Sequence, residues 1–320
     1  MIPQGKLLMR TDTLAASVSN MSLHGHRRRF GERLASVRVM VQAGWIPDAI
    51  PHAGNRFLAT NRTRIENWPM TQIVSIHSFR GGTGKSNISA NVTTLLAAQG
   101  LRVGVVDTDI QSPGIHVLFG MDADRITFAL NDYLWNECEI EQAAYDVTDG
   151  LDTGIPGRVF LIPSSIRAGQ IARVLRDGYD VSLLNDGFHA LIDALKLDVL
   201  VIDTHPGLNE ETLLSIAVSD ALAVILRPDQ QDYQGTGVTV EVARKLDVPR
   251  MFLVLNKVPA VFEPATVKER AEQAYACDVA AVLPHSDEMM ALASAGIFSL
   301  RYPDHPVTAQ LQRIADRLVG

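Results

Sequence analysis

Seven short runs of apolar, largely β-branched residues recur along this chain at intervals that helices can fill, and that alternation limits what it can fold into. They read "IVSIHS" (73–78), "RVGVVD" (102–107), "VFLIP" (159–163), "DVLVID" (198–203), "ALAVIL" (221–226), "MFLVLN" (251–256) and "VAAVLP" (279–284). Near-continuous apolar character, in place of strict alternation, is what strands buried on both faces require. Between them lie helical stretches such as "SNISANVTTLLAAQG", "DYQGTGVTVEVARKL" and "PVTAQLQRIADRLV", the first closed by a glycine. The expectation is an α/β fold: a mostly parallel sheet with helices on both faces and ligands at the carboxyl ends of the strands.

The pattern starts only at Met70. Residues 1–69 hold ten Lys/Arg against four Asp/Glu, a net +6, which leaves −13 for residues 70–320. The leading segment carries "HRRRF" and no sustained helical or strand period, so it is expected to be a basic, disordered extension or a misassigned start, with residues 70–320 as the folded domain. An organellar transit peptide and a nucleic-acid-binding arm are the competing readings of that leader. No apolar run approaches the roughly 20 residues of a membrane-spanning helix, so no membrane anchor is expected. Cys138 and Cys277 lie far apart with no CxxC; they read as buried thiols of a reducing cytoplasm, not as a disulfide framework or metal site.

"SFRGGTGKSN" (78–87) follows the first run and opens a helix, the context in which a Walker A match gains meaning. Successive backbone N–H groups there form a concave anion nest, reinforced by the helix N-terminus. A triphosphate is the natural occupant. Lys85 is expected to reach the β- and γ-phosphates and Ser86 to bind Mg²⁺, with Gly81, Gly82 and Gly84 allowing close backbone approach and Thr83 and Asn87 completing the cradle. Lys85 is read as a point charge on phosphate and not as core packing, so its loss should cost binding and leave the fold intact. The general pattern asks for glycine at 79, where this chain has Phe79.

That loop, "VVDTDIQSPG", "LVIDTHPG", "LRPDQQDYQG", "LNKVP" and "LPHSDEMMALASAG", in this order, resemble the deviant Walker A ATPases of the MinD/ParA family over about residues 70–320. The resemblance implies a P-loop NTPase-like fold, ATP and Mg²⁺ as ligands, and slow, partner-stimulated hydrolysis. It makes Arg80 the counterpart of a lysine that reaches the phosphates of a partner subunit. Arginine keeps the charge but changes reach and geometry, and Arg80 could instead pair with a local carboxylate. Asp109 corresponds to the residue that orients the attacking water, and Asp107 and Asp203 to those near Mg²⁺. His205 departs from the family pattern and reads by default as a solvent-facing loop histidine.

Asn256 stands where the family's adenine-contacting asparagine lies, with a strand-end turn residue as the plainer alternative. The segment after Pro284 resembles the one that closes over the base. Pro259 replaces the aspartate that a guanine-reading NKxD motif needs, so ATP is preferred to GTP. The function implied is an ATP-dependent homodimerising switch that positions or partitions a cargo, stimulated by a partner protein. A non-hydrolysing ATP-binding module is the alternative, and a metal or iron–sulfur cluster carrier is a further one. Arg301, Arg313 and Arg317 are candidate DNA contacts, weakly supported in a domain at −13. A chain starting at Met70 is expected to melt cooperatively and release phosphate like the full chain; aggregation or lost nucleotide binding on truncation would place the leader inside the fold.

Overall fold

The computed structural model describes residues 71–151, 154–292 and 294–320. The expectations for residues 1–69 lie outside these. All seven predicted runs are strands: β1 Gln72–His77, β2 Arg102–Asp107, β4 Arg158–Ile162, β5 Val199–Asp203, β6 Ala221–Leu226, β7 Arg250–Val258 and β8 Val279–Pro284. They form one sheet in the order β3-β4-β2-β5-β1-β6-β7-β8. Every pairing is parallel except that of β3, Tyr145–Asp146, which runs antiparallel to β4 at the edge. Two residues carry too little pattern to be read as a strand, so β3 has no sequence signal.

The central strands β5 and β6 are buried at every position, which is why their sequences lack polar alternation. Helix α1 (Lys85–Ala98) follows β1, and α11 (Pro306–Val319) closes the chain. These two and the short α10 (Phe298–Arg301) pack together against one face. α5 (Ser182–Leu195) and α6 (Glu210–Val218) pack together, and α7 (Gln230–Lys245) and α8 (Pro264–Tyr275) cross between β6, β7 and β8. Direction reverses at β1, whose neighbours are β5 and β6, so right-handed crossovers carry α5, α6, α7 and α8 to the face opposite α1. The smaller helices α2 (Ile115–Leu118), α3 (Leu130–Leu134), α4 (Ala168–Asp177) and α9 (Asp287–Leu292) lie in connections.

Local chemistry sets the helix starts. Asp229 caps α7 by accepting from the Asp232 N–H, and Asn209 caps α6 by accepting from Thr212, with Glu210 and Glu211 favourably placed in its first turn. α1 differs: its first position is preceded by Gly84 at φ 92 and has no side-chain cap. Its leading N–H groups are left for something else.

Phe79 fits where a glycine was expected because α7 makes room for it. It keeps an ordinary negative φ, so nothing in the backbone demands glycine. A Cβ on Gly235 of α7 would lie 1.9 Å from Phe79 Cδ1, so the ring occupies the notch of the missing side chain. Gly235→Ala is expected to cost about 1–3 kcal/mol through overpacking. Combining it with Phe79→Ala should cost less than the two single changes summed, as read by chemical denaturation of all three variants.

Candidate functional site

The register of the sheet brings the predicted residues to one edge. Asp107 ends β2 and Asp203 ends β5, and the two are Cα partners across adjacent strands. Ile76, one residue before the end of β1, pairs with Asp203 as well, so the loop after His77 rises directly beside both carboxylates. Gly82 at φ 76 and Gly84 at φ 92 adopt the left-handed region that favours glycine, and a side chain on Gly84 would meet Asn256 Nδ2 at 2.5 Å.

Lys85 opens α1 pointing inward. Its Nζ lies 2.8 Å from Asp203 Oδ1, with both side chains buried. Ser89, one turn along α1, donates to the same oxygen at 2.7 Å. This corrects the expectation that Lys85 is dispensable to the fold: removing it leaves a buried carboxylate unpaired. Asp203 Oδ2, Thr83 Oγ1 and His77 Nε2 are buried here and have no hydrogen-bond partner among the described residues.

Asp107 holds the next loop. Its Oδ1 accepts from the Asp109 N–H at 3.0 Å and its Oδ2 from the Gly114 N–H at 3.1 Å. Burial first, and then the charge of Asp203, push its pKa up to about 7. Thr108 fastens the same loop to β5 by donating both N–H and Oγ to the Asp203 carbonyl.

Asp109 and His205 meet across this edge. His205 Nδ1 lies 2.6 Å from Asp109 Oδ1, and the carboxylate raises the pKa of the imidazole, chiefly through that hydrogen bond. His205 is therefore not the free loop histidine that its sequence position suggests. His77 lies close by, fully buried, with Nδ1 2.8 Å from Thr204 Oγ1. The threonine hydroxyl donates to the Ile76 carbonyl, so it must accept from His77, which fixes the proton on Nδ1. Burial, then Lys85 and His205, lower the His77 pKa to about 3, so this histidine is neutral.

Arg80 is 44% exposed at the rim of the loop. Its Nε lies 3.7 Å from Asp232 Oδ1, the local carboxylate considered as an alternative partner. Asp232 is buried and held through its other oxygen by the Arg227 N–H and guanidinium. Ser86 and Asn87 lie half-buried in the first turn of α1, and Gly81 is exposed.

Asn256 donates to the Thr83 carbonyl at 2.7 Å and accepts from the Lys257 N–H at 2.9 Å. Lys257, at φ 56, donates Nζ to the Gly82 carbonyl at 2.9 Å. In this structure the pair braces the loop; a contact of Asn256 with a base is a proposal. Pro284 is exposed at the end of β8, opposite Val258. The site draws in none of Arg301, Arg313 and Arg317. Arg317 pairs with Asp278 at the amino-terminal end of β8, away from the loop.

The donor set fits a nucleotide triphosphate and Mg²⁺: an uncapped helix start, two left-handed glycines, a buried lysine, and a buried carboxylate oxygen without a partner. Among the described residues no group of three or more His, Cys, Asp or Glu is arranged to hold a metal ion. A cation here would therefore draw ligands from the Ser86 hydroxyl, nucleotide oxygens and water, with Asp107 and Asp203 behind them. Among the described residues no helix is long and apolar enough to cross a membrane.

Comparison with known proteins agrees with this geometry. A family model described as an AAA domain matches residues 71–248. An uncharacterised ATP-binding protein of Methanocaldococcus jannaschii is 27% identical, over 78% of this chain and 89% of its own length. An iron-sulfur cluster carrier protein of Pyrococcus horikoshii is 24% identical, over 77% and 85%. Among solved structures, the septum site-determining protein MinD of Pyrococcus horikoshii, complexed with Mg-ADP, superposes with a TM-score of 0.63 at 21% identity, covering 77% of this chain and 95% of that one. With more than half of its length matched, the chain belongs to this AAA-domain family, and its fold is that of the MinD/ParA ATPase structures.

Proposed function

We propose that the chain is an ATP-driven dimerisation switch, in which ATP and Mg²⁺ join two copies face to face and slow hydrolysis separates them. The observation that carries this reading is the placement of two cations on one loop. Lys85 is buried at its base, whereas Arg80 stands at its rim, with a long ion pair to Asp232 as its one ion pair among the described residues. One lysine serves the nest; a second cation at the rim is placed to grip phosphate held by another copy, as a planar guanidinium does well.

The residues divide the work accordingly. The loop N–H groups and Lys85 bind the β- and γ-phosphates, and Thr83, Ser86 and Asn87 line the cradle. Bound beside Asp107 and Asp203, Mg²⁺ would neutralise charge that develops on the phosphate oxygens. Asp109 orients a water whose oxygen bonds to the γ-phosphorus as the bond to the bridging oxygen breaks. ADP leaves with the electron pair, and the water's protons end on phosphate and solvent. Loss of the γ-phosphate removes what Arg80 grips, and the copies part.

On this reading a partner protein accelerates hydrolysis, and the cycle positions a cargo. A cluster-carrier reading follows the name shared by three Pyrococcus relatives. It has little to build on here: Cys138 precedes β3 and Cys277 precedes β8, at opposite edges of the sheet, and Cys138 is only half-buried.

Lys85→Ala is expected to cost about 3–5 kcal/mol of stability by stranding Asp203. Asp203→Asn in the same chain should recover part of this, while ATP binding stays lost in both, as denaturation and titration calorimetry would show. For the switch itself, light scattering with ATP and Mg²⁺ should find Arg80→Ala monomeric although it binds ATP, and Asp109→Ala trapped as a dimer, with Arg80→Lys behaving like the parent. An Arg80→Ala chain that dimerises and hydrolyses normally would leave the arginine as a surface charge, and a parent that dimerises without releasing phosphate would make the chain a non-hydrolysing module.

A further inference from the structure

We infer that His205 is a positioning residue for hydrolysis, a side chain that fixes the orientation of the Asp109 carboxylate toward the attacking water and ties the loop after β2 to the loop after β5. The inference rests on the reading of Asp109 as the group that orients that water. The two residues are 96 positions apart and come from the ends of adjacent strands. Their side chains are 20% and 13% exposed, so the bond is partly withdrawn from competing water.

The argument is one of oxygen accounting. Asp109 Oδ1 accepts from the Ser112 N–H at 3.1 Å and faces His205 Nδ1 at 2.6 Å. A carboxylate only accepts, so the imidazole must carry its proton on Nδ1 and donate it. Oδ1 is thereby occupied, and Oδ2 is the oxygen left to a water. Without His205 the Ser112 N–H is left to hold the carboxylate, its plane can turn about χ2, and the orientation that hydrolysis needs becomes one of several.

Both ends of the bond are anchored before it forms, which keeps its entropic cost low. The Asp109 N–H is held by Asp107. The His205 carbonyl accepts from Thr212 Oγ1 at 3.2 Å, and the Gly207 N–H donates to the Ser78 carbonyl at the start of the phosphate loop. Pro206 lies 4.0 Å from where a Gly81 side chain would begin. A shift of the phosphate loop is thus carried through residues 205–207 to Asp109, which makes His205 the link between the loop's position and the water's.

Two isosteric replacements separate positioning from packing. His205→Asn keeps an N–H donor at the place of Nδ1, and His205→Leu has similar size without a donor. In the full chain with ATP and Mg²⁺, His205→Leu is expected to lower kcat about tenfold with KM for ATP unchanged, and His205→Asn to stay within about threefold of the parent. In an Asp109→Ala background, already slow, His205→Leu should change nothing further. Equal losses in both His205 variants, a KM effect in place of a kcat effect, or a full additional loss on Asp109→Ala would each overturn the inference. If Asp109→Ala itself turns over normally, the role of Asp109 fails and the inference falls with it. A slow Asp109→Ala beside a normal His205→Leu removes His205 alone.

Discussion

A lysine and an aspartate withdrawn from water, 2.8 Å apart at the carboxyl edge of the sheet, set the terms for everything around them. Desolvating such a pair costs several kcal/mol per ion, and apolar residues of similar volume would often hold a core as well or better. The pair makes sense as a site kept charged for a ligand. Around it, Ser89 supplies a second donor to Asp203 and Thr108 clasps its carbonyl. The neighbouring Asp107, pushed up to about 7 by burial and by Asp203, shows that a second full negative charge is already opposed there. On the proposed reading, an incoming triphosphate competes for the lysine, and a divalent cation supplies the positive charge that the two carboxylates then lack.

The histidines are arranged so as not to disturb that balance. His77 lies beneath the loop and is kept neutral by burial and by Lys85; a positive imidazole there would compete with the lysine for the same anion. Its single proton goes to Thr204, the residue between Asp203 and His205, so the neutral ring also steadies the loop after β5. His205 faces the other way, toward Asp109, where a carboxylate favours the donor form. Adjacent environments therefore give the same side chain two different duties, the pattern expected where burial and charge partners pull in opposite directions.

Much of the fold was legible because it is written in two-sided burial. Each of the seven strands is a run of Val, Ile, Leu and Ala with few polar interruptions, and "GGTGKS" after the first marks the strand-to-helix turn by its glycines. β3 was not legible, since two residues at an edge, half-buried and exposed, leave no period to read. The site was legible where backbone chemistry dictates residue type, as at Gly82, Gly84 and Lys85. It was not legible where the determining contact is long-range. Phe79 depends on Gly235, and His205 depends on Asp109; local sequence shows Phe79 and His205 as oddities and says nothing of what each one touches. The signal that could have flagged them is departure itself, an aromatic and an imidazole set inside otherwise recognisable motifs.

The shape of the loop also depends on residues at the end of β7. For consecutive N–H groups to point into a concavity, the carbonyls between them must point out, and a buried one such as that of Thr83 needs a donor. Asn256 and Lys257, at the end of β7, provide donors to Thr83 and Gly82 in turn. Lys257 does so from a left-handed backbone that costs a non-glycine residue roughly 1–2 kcal/mol. That cost is borne where it orients the nest before any anion arrives, so less reorganisation is left for the binding step. On the reading that the base lies against the end of β7, it would press on the same two side chains, and occupancy of the base site would reach the phosphate nest through that pair of hydrogen bonds.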